Sequence, residues 1–263
     1  MADLAALLDD FAAECADLET LVAPLTPAQW QTATPAPRWD IATQIAHLTW
    51  TDEVSLLAVT DGEAFAELLT EAVPKMLTFV DKGAEEIARI TPAELLERWR
   101  TGRGNLIAAL GAVPPGTKLP WFGPPMSPAS MVSARIMETW AHGQDVADAL
   151  GATRTPTARL RTVAHISVRA RNYAYLVNGE SGPTDEFRVE LTAPDGTLWT
   201  WGPEDAPQRI TGSALDFCQV ATQRRHRADT ALATEGPDAD HWLTIAQAFA
   251  GPPGPGRQAG QFT

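Results

Sequence analysis

Three helix-start signals of one kind constrain the fold of this chain more than any other feature. Each places Ser or Thr directly before Pro, at Thr26-Pro27, Thr91-Pro92 and Ser127-Pro128. The hydroxyl side chain caps free N–H groups at a helix start, and Pro suits the first helical position because it has no N–H to satisfy. Gln29 and Glu94 follow the first two caps by three residues and complete capping boxes. These boundaries predict a helical fold for the first 150 residues.

Apolar residues at helical spacing fill the segments around these signals. We predict five helical segments: one starting near Asp3, one over Asp40–Val59, one over Ala64–Ile90 with a break at Pro74, one over Glu94–Leu110 and one over Ser127–Leu150. Gly151 ends the last of them, because glycine accepts the left-handed conformation at a helix C-terminus. The sequence therefore predicts an N-terminal all-α bundle.

From about residue 152 the pattern changes to that of a smaller α+β domain. We predict a helix over Ala158–Val177, strands over Glu186–Thr192 and Thr197–Trp201, and helices over Ser213–His226 and Asp238–Phe249. Asp195-Gly196 between the two strands is a hairpin signal. Residues 253–263 are too rich in Gly and Pro to pack and are predicted to be a flexible tail. The predicted domains are therefore 1–151 and 152–252.

Composition and charge exclude several classes of function. The formal net charge of −13 argues against nucleic acid and anionic membrane surfaces as partners, because both require clustered Lys and Arg. Cys15 and Cys218 are the only cysteines, so there is no disulfide framework and no Cys-rich metal site. The acidic N-terminus lacks a secretory signal and no long apolar run occurs, so we expect a cytoplasmic protein.

The helix predicted over Ser127–Leu150 carries a charged stripe. Arg135, Glu138, His142 and Asp145 recur at spacings of three and four and therefore share one face. Apolar residues flank this stripe, while Ser133, Gln144 and Asp148 form a separate polar arc that can face solvent. We therefore expect the charged stripe to point into the bundle. Buried ionisable groups cost several kcal/mol unless they are paired or bind a metal.

A third candidate ligand lies on the helix predicted over Asp40–Val59. His47 shares an apolar face with Trp50, Val54 and Ala58, so it must also turn inward. We predict that His47, Glu138 and His142 bind one divalent metal ion, with zinc favoured and iron or nickel open. Three protein ligands leave a coordination position open, as in catalytic sites. Arg135 and Asp145 are candidates for balancing Glu138 and orienting His142, or for an ordinary intrahelical ion pair.

Two motifs carry a resemblance to a known family. W-x8-W-D-I-A-T-Q-I-A-H-L from Trp30, together with R-I-M-E-T-W-A-H-G-Q-D from Arg135, resembles the DinB-like metal-binding superfamily. Over about 150 residues the chain is most similar to the N-terminal domain of mycothiol-dependent maleylpyruvate isomerases, in particular to an actinobacterial subgroup of metal-binding proteins. The resemblance implies a four-helix bundle with the metal ligands at His47, Glu138 and His142. It also implies a sterol-carrier-like C-terminal domain.

The resemblance implies a metal-dependent isomerase or transferase that uses mycothiol as cosubstrate. Zinc with an open position can lower the pKa of a bound thiol or water toward neutrality. The residues alone leave two alternatives open, a hydrolase or cyclase without a thiol cosubstrate and a non-catalytic carrier of small ligands with a structural metal. We expect a small-molecule substrate and a monomer or homodimer.

A few further residues are candidates for substrate binding. Trp121 and Phe122 precede the metal-bearing helix and are predicted to line the mouth of the site. Arg169 and Tyr173 lie near the predicted domain junction, where ligand clefts are common. The only dense basic cluster, Arg224 to Arg227, could meet an acidic substrate or could be a solvated helix end.

Overall fold

A computed structural model describes residues 3–262, with the backbone alone for Met76 and Leu77. The chain divides into two compact units, with the boundary in the sequence between Arg154 and Thr155. The first unit is helical and the second contains a small sheet. No helix among the described residues is both long and apolar enough to cross a membrane.

The first unit contains seven α-helices in its described residues. In chain order they are α1 (Leu4–Val22), α2 (Pro27–Trp30), α3 (Ile41–Thr60), α4 (Gly62–Ala72), α5 (Met76–Ile87), α6 (Pro92–Gly111) and α7 (Pro128–Leu150). Thr26, Thr91 and Ser127 cap α2, α6 and α7, and both predicted capping boxes are present. A 3-10 turn at Val73–Lys75 separates α4 from α5, which confirms the break predicted at Pro74.

The four longest helices, α1, α3, α6 and α7, contact one another and enclose the apolar core. Phe11, Ile45, Trp99, Leu106 and Ile136 are fully buried there. Helix α7 is buried around most of its circumference, which corrects one expectation. Gln144 was predicted to face solvent, but it is 6% exposed and its amide donates to Asp148. An inward polar residue is tolerated there because Asp148 satisfies its N–H group.

The second unit has four helices and four strands in its described residues. They are α8 (Leu160–Arg169), α9 (Arg171–Val177), β1 (Phe187–Thr192), β2 (Leu198–Trp201), β3 (Gln208–Ser213), α10 (Ala214–Ala221), β4 (Ala233–Glu235) and α11 (Pro237–Ile245). The sheet order is β2-β1-β3-β4, with β1 antiparallel to β2 and parallel to β3. The hairpin predicted at Asp195-Gly196 is present, whereas β3 and β4 were not predicted.

Three other expectations for this unit need correction. The helix predicted over Ala158–Val177 is interrupted at Ala170, and the helix predicted to reach His226 ends at Ala221. The segment 253–263, predicted to be an unpacked tail, lies against the second unit as far as it is described. Phe262 packs on the guanidinium of Arg225, and the N–H of Gly260 donates to Asp229. These two contacts hold the segment although it contains few apolar side chains.

The coarse fold class, a helical N-terminal part followed by a small sheet-containing part, is confirmed. The finer descriptions implied by the resemblance, a DinB-like four-helix bundle and a sterol-carrier-like second unit, stay predictions.

Candidate metal centre

Helices α3 and α7 bring the three predicted metal ligands together. One ligand atom each from His47, Glu138 and His142 lies within 4.8 Å of the other two. His47 is 7% exposed and His142 is 9% exposed, while the Glu138 side chain is 21% exposed. The two histidines are therefore largely shielded from bulk water, and the Glu138 side chain is the most exposed of the three.

The two imidazoles converge on one carboxylate oxygen. Nε2 of His142 lies 3.2 Å from Oε2 of Glu138, and Nε2 of His47 lies 3.4 Å from the same oxygen. Ligands placed tetrahedrally at about 2.1 Å from zinc lie about 3.4 Å from one another. The two measured separations therefore match the spacing of a zinc ligand set.

A hydrogen-bond chain sets the tautomer of His142. The Thr34 hydroxyl donates to the carbonyl of Trp39 at 2.8 Å and accepts from Nε2 of Gln44 at 2.9 Å. The Gln44 amide is thereby oriented with Oε1 facing Nδ1 of His142. Because an amide oxygen only accepts, Nδ1 carries the ring proton and Nε2 of a neutral His142 carries a lone pair. This is the tautomer that binding of a metal through Nε2 requires.

This hydrogen-bond chain places two acceptors, Nε2 of His142 and the Glu138 carboxylate, opposite each other. The lone pair on Nε2 of His142 faces the Glu138 carboxylate, which is also an acceptor, so a proton or a metal ion must lie between them. With a proton in that place, burial still raises the pKa of Glu138, but hydrogen bonds from His142 and His47 and their positive charge outweigh it and hold the pKa well below 4.5. The carboxylate is thus ionised and available to a cation. Two imidazoles and one carboxylate fit a divalent metal ion.

His47 is held less firmly than His142. Its Nδ1 is buried and makes no hydrogen bond to the described residues, whereas Nδ1 of His142 meets Gln44. Its ring is instead fixed by packing, 4.5 Å from the ring of His142 and 5.2 Å from that of Trp39. The orientation of His47 therefore depends on ring contacts.

Trp39 covers one side of the histidine pair. Its ring stacks on His142 at a centroid distance of 5.8 Å and an interplanar angle of 19°. Trp39 immediately precedes Asp40, which caps α3 through the N–H of Thr43 at 2.8 Å. The capped helix start thus holds the aromatic ring against both candidate ligands.

Arg135 does not pair with Glu138. Its Nε donates to Oδ1 of Asp52 on α3 at 2.8 Å, and both side chains are buried. The expectation that Arg135 balances Glu138 is corrected, because the guanidinium is paired with the buried carboxylate of Asp52. Asp145 is fully buried on the same helix, and the idea that it orients His142 stays a prediction.

The buried Arg135–Asp52 pair lies in a polar pocket of the core. Oδ2 of Asp52, Nη2 of Arg135, Oγ1 of Thr139 and Nε1 of Trp99 are buried without a hydrogen-bond partner among the described residues. Buried polar atoms of this kind are usually satisfied by ordered water. The pair links α3 to α7 near the helix turns that carry the candidate ligands.

Trp121 and Phe122 lie in an aromatic cluster. Their ring contacts are with other aromatic residues and not with His47 or His142. Trp121 stacks on Phe65 at 6.0 Å, and Phe122 contacts Trp50, Phe65 and Phe79. The cluster connects the loop before α7 with α3, α4 and α5. Whether these two residues line the mouth of the site stays a prediction.

Arg169 and Tyr173 lie in the second unit. Arg169 is exposed at the end of α8, and the Tyr173 hydroxyl donates to the carbonyl of Gly251 at 3.2 Å and accepts from its N–H at 2.9 Å. Tyr173 thus anchors the segment after α11. Nothing within the second unit places either residue at a substrate, so their assignment stays a prediction.

Sequence reasoning missed Gln44 and Trp39. Gln44 precedes His47 by three residues and therefore shares its helix face, a signal that was available. Trp39 lies before the helix start, where helical spacing gives no information. Its position next to the N-cap Asp40 is the local feature that would have drawn attention to it.

Comparison with known proteins identifies the family of the chain. A family model described as the mycothiol maleylpyruvate isomerase N-terminal domain matches residues 11–147, more than half of the chain. A second model, described as wyosine base formation, matches residues 183–234. Two uncharacterized proteins of Mycobacterium tuberculosis, from strains CDC 1551 / Oshkosh and H37Rv, are each 57% identical over 98% of this chain and 100% of their own length.

Two solved structures share the fold. They are those of the mycothiol-dependent maleylpyruvate isomerase and of a mutant of it, with TM-scores of 0.55 and 0.60 and 16% sequence identity. Each alignment covers 90% of this chain and 95% of the solved chain. The family resemblance noted in the two sequence motifs is thereby confirmed. The chain belongs to the mycothiol maleylpyruvate isomerase N-terminal domain family.

Proposed function

We propose that this protein is a divalent-metal-dependent enzyme of the isomerase or thiol-transferase kind that uses a small thiol such as mycothiol as cosubstrate. The observation that carries the proposal is the convergence of Nε2 of His47 and Nε2 of His142 on one oxygen of Glu138. Family membership and the names of the solved relatives support the thiol and the reaction type. Zinc is the favoured metal, with iron or nickel compatible with the same ligands.

The residues of the chain have separate tasks in this proposal. His47, Glu138 and His142 hold the metal, Gln44 fixes the tautomer of His142, and the ring of Trp39 shields the histidines from water. A bound divalent metal with an open position supplies the positive charge that lowers the pKa of a thiol or water toward neutrality. The 21% exposure of the Glu138 side chain marks the side from which a cosubstrate would approach.

The burial of both cysteines supports the proposal that the reacting thiol comes from a cosubstrate. Cys15 and Cys218 are fully buried, and burial raises the pKa of both thiols far above neutrality. Neither can supply a thiolate at neutral pH, because the thiolate is the reactive form and burial disfavours it. Thiol chemistry in this protein therefore requires a cosubstrate that brings its own sulfur, which adds to an electrophilic carbon of the substrate.

The proposal is tested with cobalt in place of the native metal. Cobalt(II) has visible absorption bands that change when sulfur enters its coordination sphere. Titration of the cobalt-loaded protein with mycothiol is expected to give new sulfur-to-cobalt absorption that saturates. S-methylated mycothiol serves as the matched control, because it keeps the sugar groups but cannot form a thiolate.

Three outcomes separate the candidate functions. Saturable new absorption with mycothiol alone supports the thiol-dependent enzyme. Cobalt bands that respond to pH but not to the thiol overturn it in favour of a hydrolase or cyclase. Bands that respond to neither indicate a closed, structural metal and a carrier protein, which also overturns the proposal.

A further inference from the structure

The last residue of the first unit, Arg154, reaches back over α7, the helix that carries two of the three candidate ligands. Helix α7 ends at Gly151, whose φ of 62° is the left-handed conformation that commonly ends a helix and redirects the chain. After this turn the Arg154 side chain contacts Trp140 and Gly143, in the middle of α7. The end of the first unit is therefore tied to the helix that precedes it.

The Arg154 guanidinium links α7 to a buried acid on α1. Its Nη1 donates to the carbonyl of Trp140 at 2.8 Å, and its Nη2 donates to Oε1 of Glu14. The guanidinium carbon lies 5.9 Å from the centroid of the Trp140 ring. Glu14 is 1% exposed, and a carboxylate buried so deeply is costly without a charged partner. Arg154 is such a partner, so the two helices are joined through its side chain.

Gly143 makes room for this guanidinium. A Cβ at Gly143 would lie 3.3 Å from Nη1 of Arg154, so the guanidinium would have to shift by a few tenths of an ångström. Glycine destabilises a helix interior relative to alanine, so helix propensity does not account for a glycine in the middle of α7. The close approach of Arg154 does account for it.

The guanidinium contacts the turn of α7 that carries the ligands, on a side away from them. Helical residues advance by about 100° each, so Trp140 is about 200° around the helix from Glu138. Gly143 is about 100° from His142 on the same basis. The ligand atoms themselves face α3, through the contacts of Glu138 with His47. The guanidinium therefore holds this turn from behind.

We propose that Arg154 is a positioning residue of the metal centre, which sets the place of the ligand-bearing turn of α7 relative to His47 on α3. The inference rests on the proposed metal centre and not on the thiol chemistry. The groups of a metal site must be held within about 0.5 Å of their binding geometry. Oε2 of Glu138 lies 3.4 Å from Nε2 of His47, a separation that a small shift of α7 would change.

The test measures the affinity of the full-length protein for cobalt(II) and the visible absorption bands of the bound ion, which report its coordination geometry. Arg154→Leu should weaken cobalt binding by about tenfold, the lower end of the range for residues that orient metal ligands, and should shift the bands. Both changes are measured under conditions in which circular dichroism shows the variant to be folded.

Arg103→Leu is the matched control for Arg154→Leu. The side chains of Arg103 and Arg154 are both 14% exposed, and Arg103 also pairs with an acid on α1, Glu19. It also lies over a tryptophan ring, that of Trp99. Because Arg103 is on α6 and makes these contacts away from α7, its loss should leave the cobalt affinity and the bands unchanged.

Gly143→Ala provides a second test if Arg154→Leu does not fold. Alanine favours a helix over glycine, so a merely structural role predicts no loss of cobalt affinity. Displacement of the guanidinium predicts weaker cobalt binding and shifted bands, with a smaller loss than in Arg154→Leu. Gly104→Ala on α6, where a Cβ would meet nothing within 4 Å, is the control and should behave as the wild type.

The outcomes separate the positioning role from the metal centre itself. Weaker binding and shifted bands in Arg154→Leu or Gly143→Ala, with both controls unchanged, support the proposal. Unchanged binding in Gly143→Ala and in folded Arg154→Leu, or equal changes in the controls, would overturn the positioning role and leave the metal centre standing. A wild type that binds no cobalt would overturn both.

Discussion

Nδ1 of His142 faces Oε1 of Gln44, an amide whose other end is held by the Thr34 hydroxyl. The contact crosses from α7 to α3 and joins the two helices that carry the candidate metal ligands. It decides which nitrogen of His142 is free to bind a cation, because Nδ1 must carry the proton. In the proposed metal centre, binding through Nε2 of His142 thus depends on a neutral side chain of the neighbouring helix.

Loss of the Gln44 carbonyl is expected to weaken metal binding. Gln44→Leu removes the acceptor of Nδ1–H, so the affinity for zinc should fall by about 10- to 100-fold, the range seen for partners of metal-bound histidines. Gln44→Glu keeps an acceptor and should retain most of the affinity. Competition with a chelating dye measures both. The exposed Gln31→Leu change is the control, and equal affinity of Gln44→Leu and the wild type would contradict the role assigned to Gln44.

Trp39 should report metal binding by its fluorescence. Its ring lies 5.8 Å from the ring of His142 and 5.2 Å from that of His47, so cobalt or nickel at the site should quench it. Trp39→Phe should remove most of the metal-dependent quenching while the metal still binds. Trp201→Phe, in the second unit, should leave the quenching intact. If quenching in Trp39→Phe equals that of the wild type, the metal does not lie beside this ring.

The buried Arg135–Asp52 pair should matter for stability. Burial raises the pKa of Asp52, and Arg135→Leu leaves this buried carboxyl without its guanidinium partner, so the free energy of unfolding of the metal-free protein should fall by about 3–5 kcal/mol. The double variant Arg135→Leu/Asp52→Leu should recover much of this loss. Arg98→Leu breaks an ion pair with Glu53 that is about 40% exposed and should cost about 1 kcal/mol or less. Urea unfolding measures all three, and equal losses for Arg135→Leu and Arg98→Leu would contradict this account.

The pKa of Glu138 predicts a pH dependence of stability. A carboxyl whose folded pKa lies below its unfolded value stabilises the fold above that value, and the stabilisation is lost as the pH falls through the folded pKa. The advantage of metal-free wild type over Glu138→Gln should therefore be complete above pH 4.5 and shrink as the pH falls below it. Urea unfolding over a series of acidic pH values measures this difference.

We assign the lowered pKa of Glu138 to its contacts with His47 and His142. In a His47→Ala/His142→Ala background, the stability advantage of Glu138 over Glu138→Gln should no longer shrink as the pH falls below 4.5, because the groups that lower the pKa of Glu138 are absent. The same acid dependence with and without the two histidines would mean that another contact holds the Glu138 carboxyl ionised.

Local sequence signals were sufficient for much of the first unit. The Thr-Pro and Ser-Pro helix starts act within a few residues, so Thr26, Thr91 and Ser127 could be assigned without tertiary information. Glu138 and His142 are four apart on one helix, and helical geometry alone places them together. The pairing with His47 required the further argument that both polar positions lie on inward faces.

The unpredicted features depend on contacts between distant residues. Strand β3, with the sequence QRITGS, has weak strand propensity and is stabilised by parallel pairing with β1, including Val189 opposite Ile210. The ion pair of Arg135 depends on Asp52, and the tautomer of His142 depends on Gln44 and Thr34. None of these pairings is encoded by spacing within one helix or strand.

The central claim is that His47, Glu138 and His142 bind one divalent metal ion. Metal content measured by plasma mass spectrometry after purification, and again after zinc loading and dialysis, tests it directly. The wild type and the His241→Ala variant, whose altered histidine pairs with Glu180 in the second unit, should hold one metal ion per chain. His47→Ala should hold almost none. Stoichiometric metal retained by His47→Ala, with its fold intact by circular dichroism, would contradict the assignment.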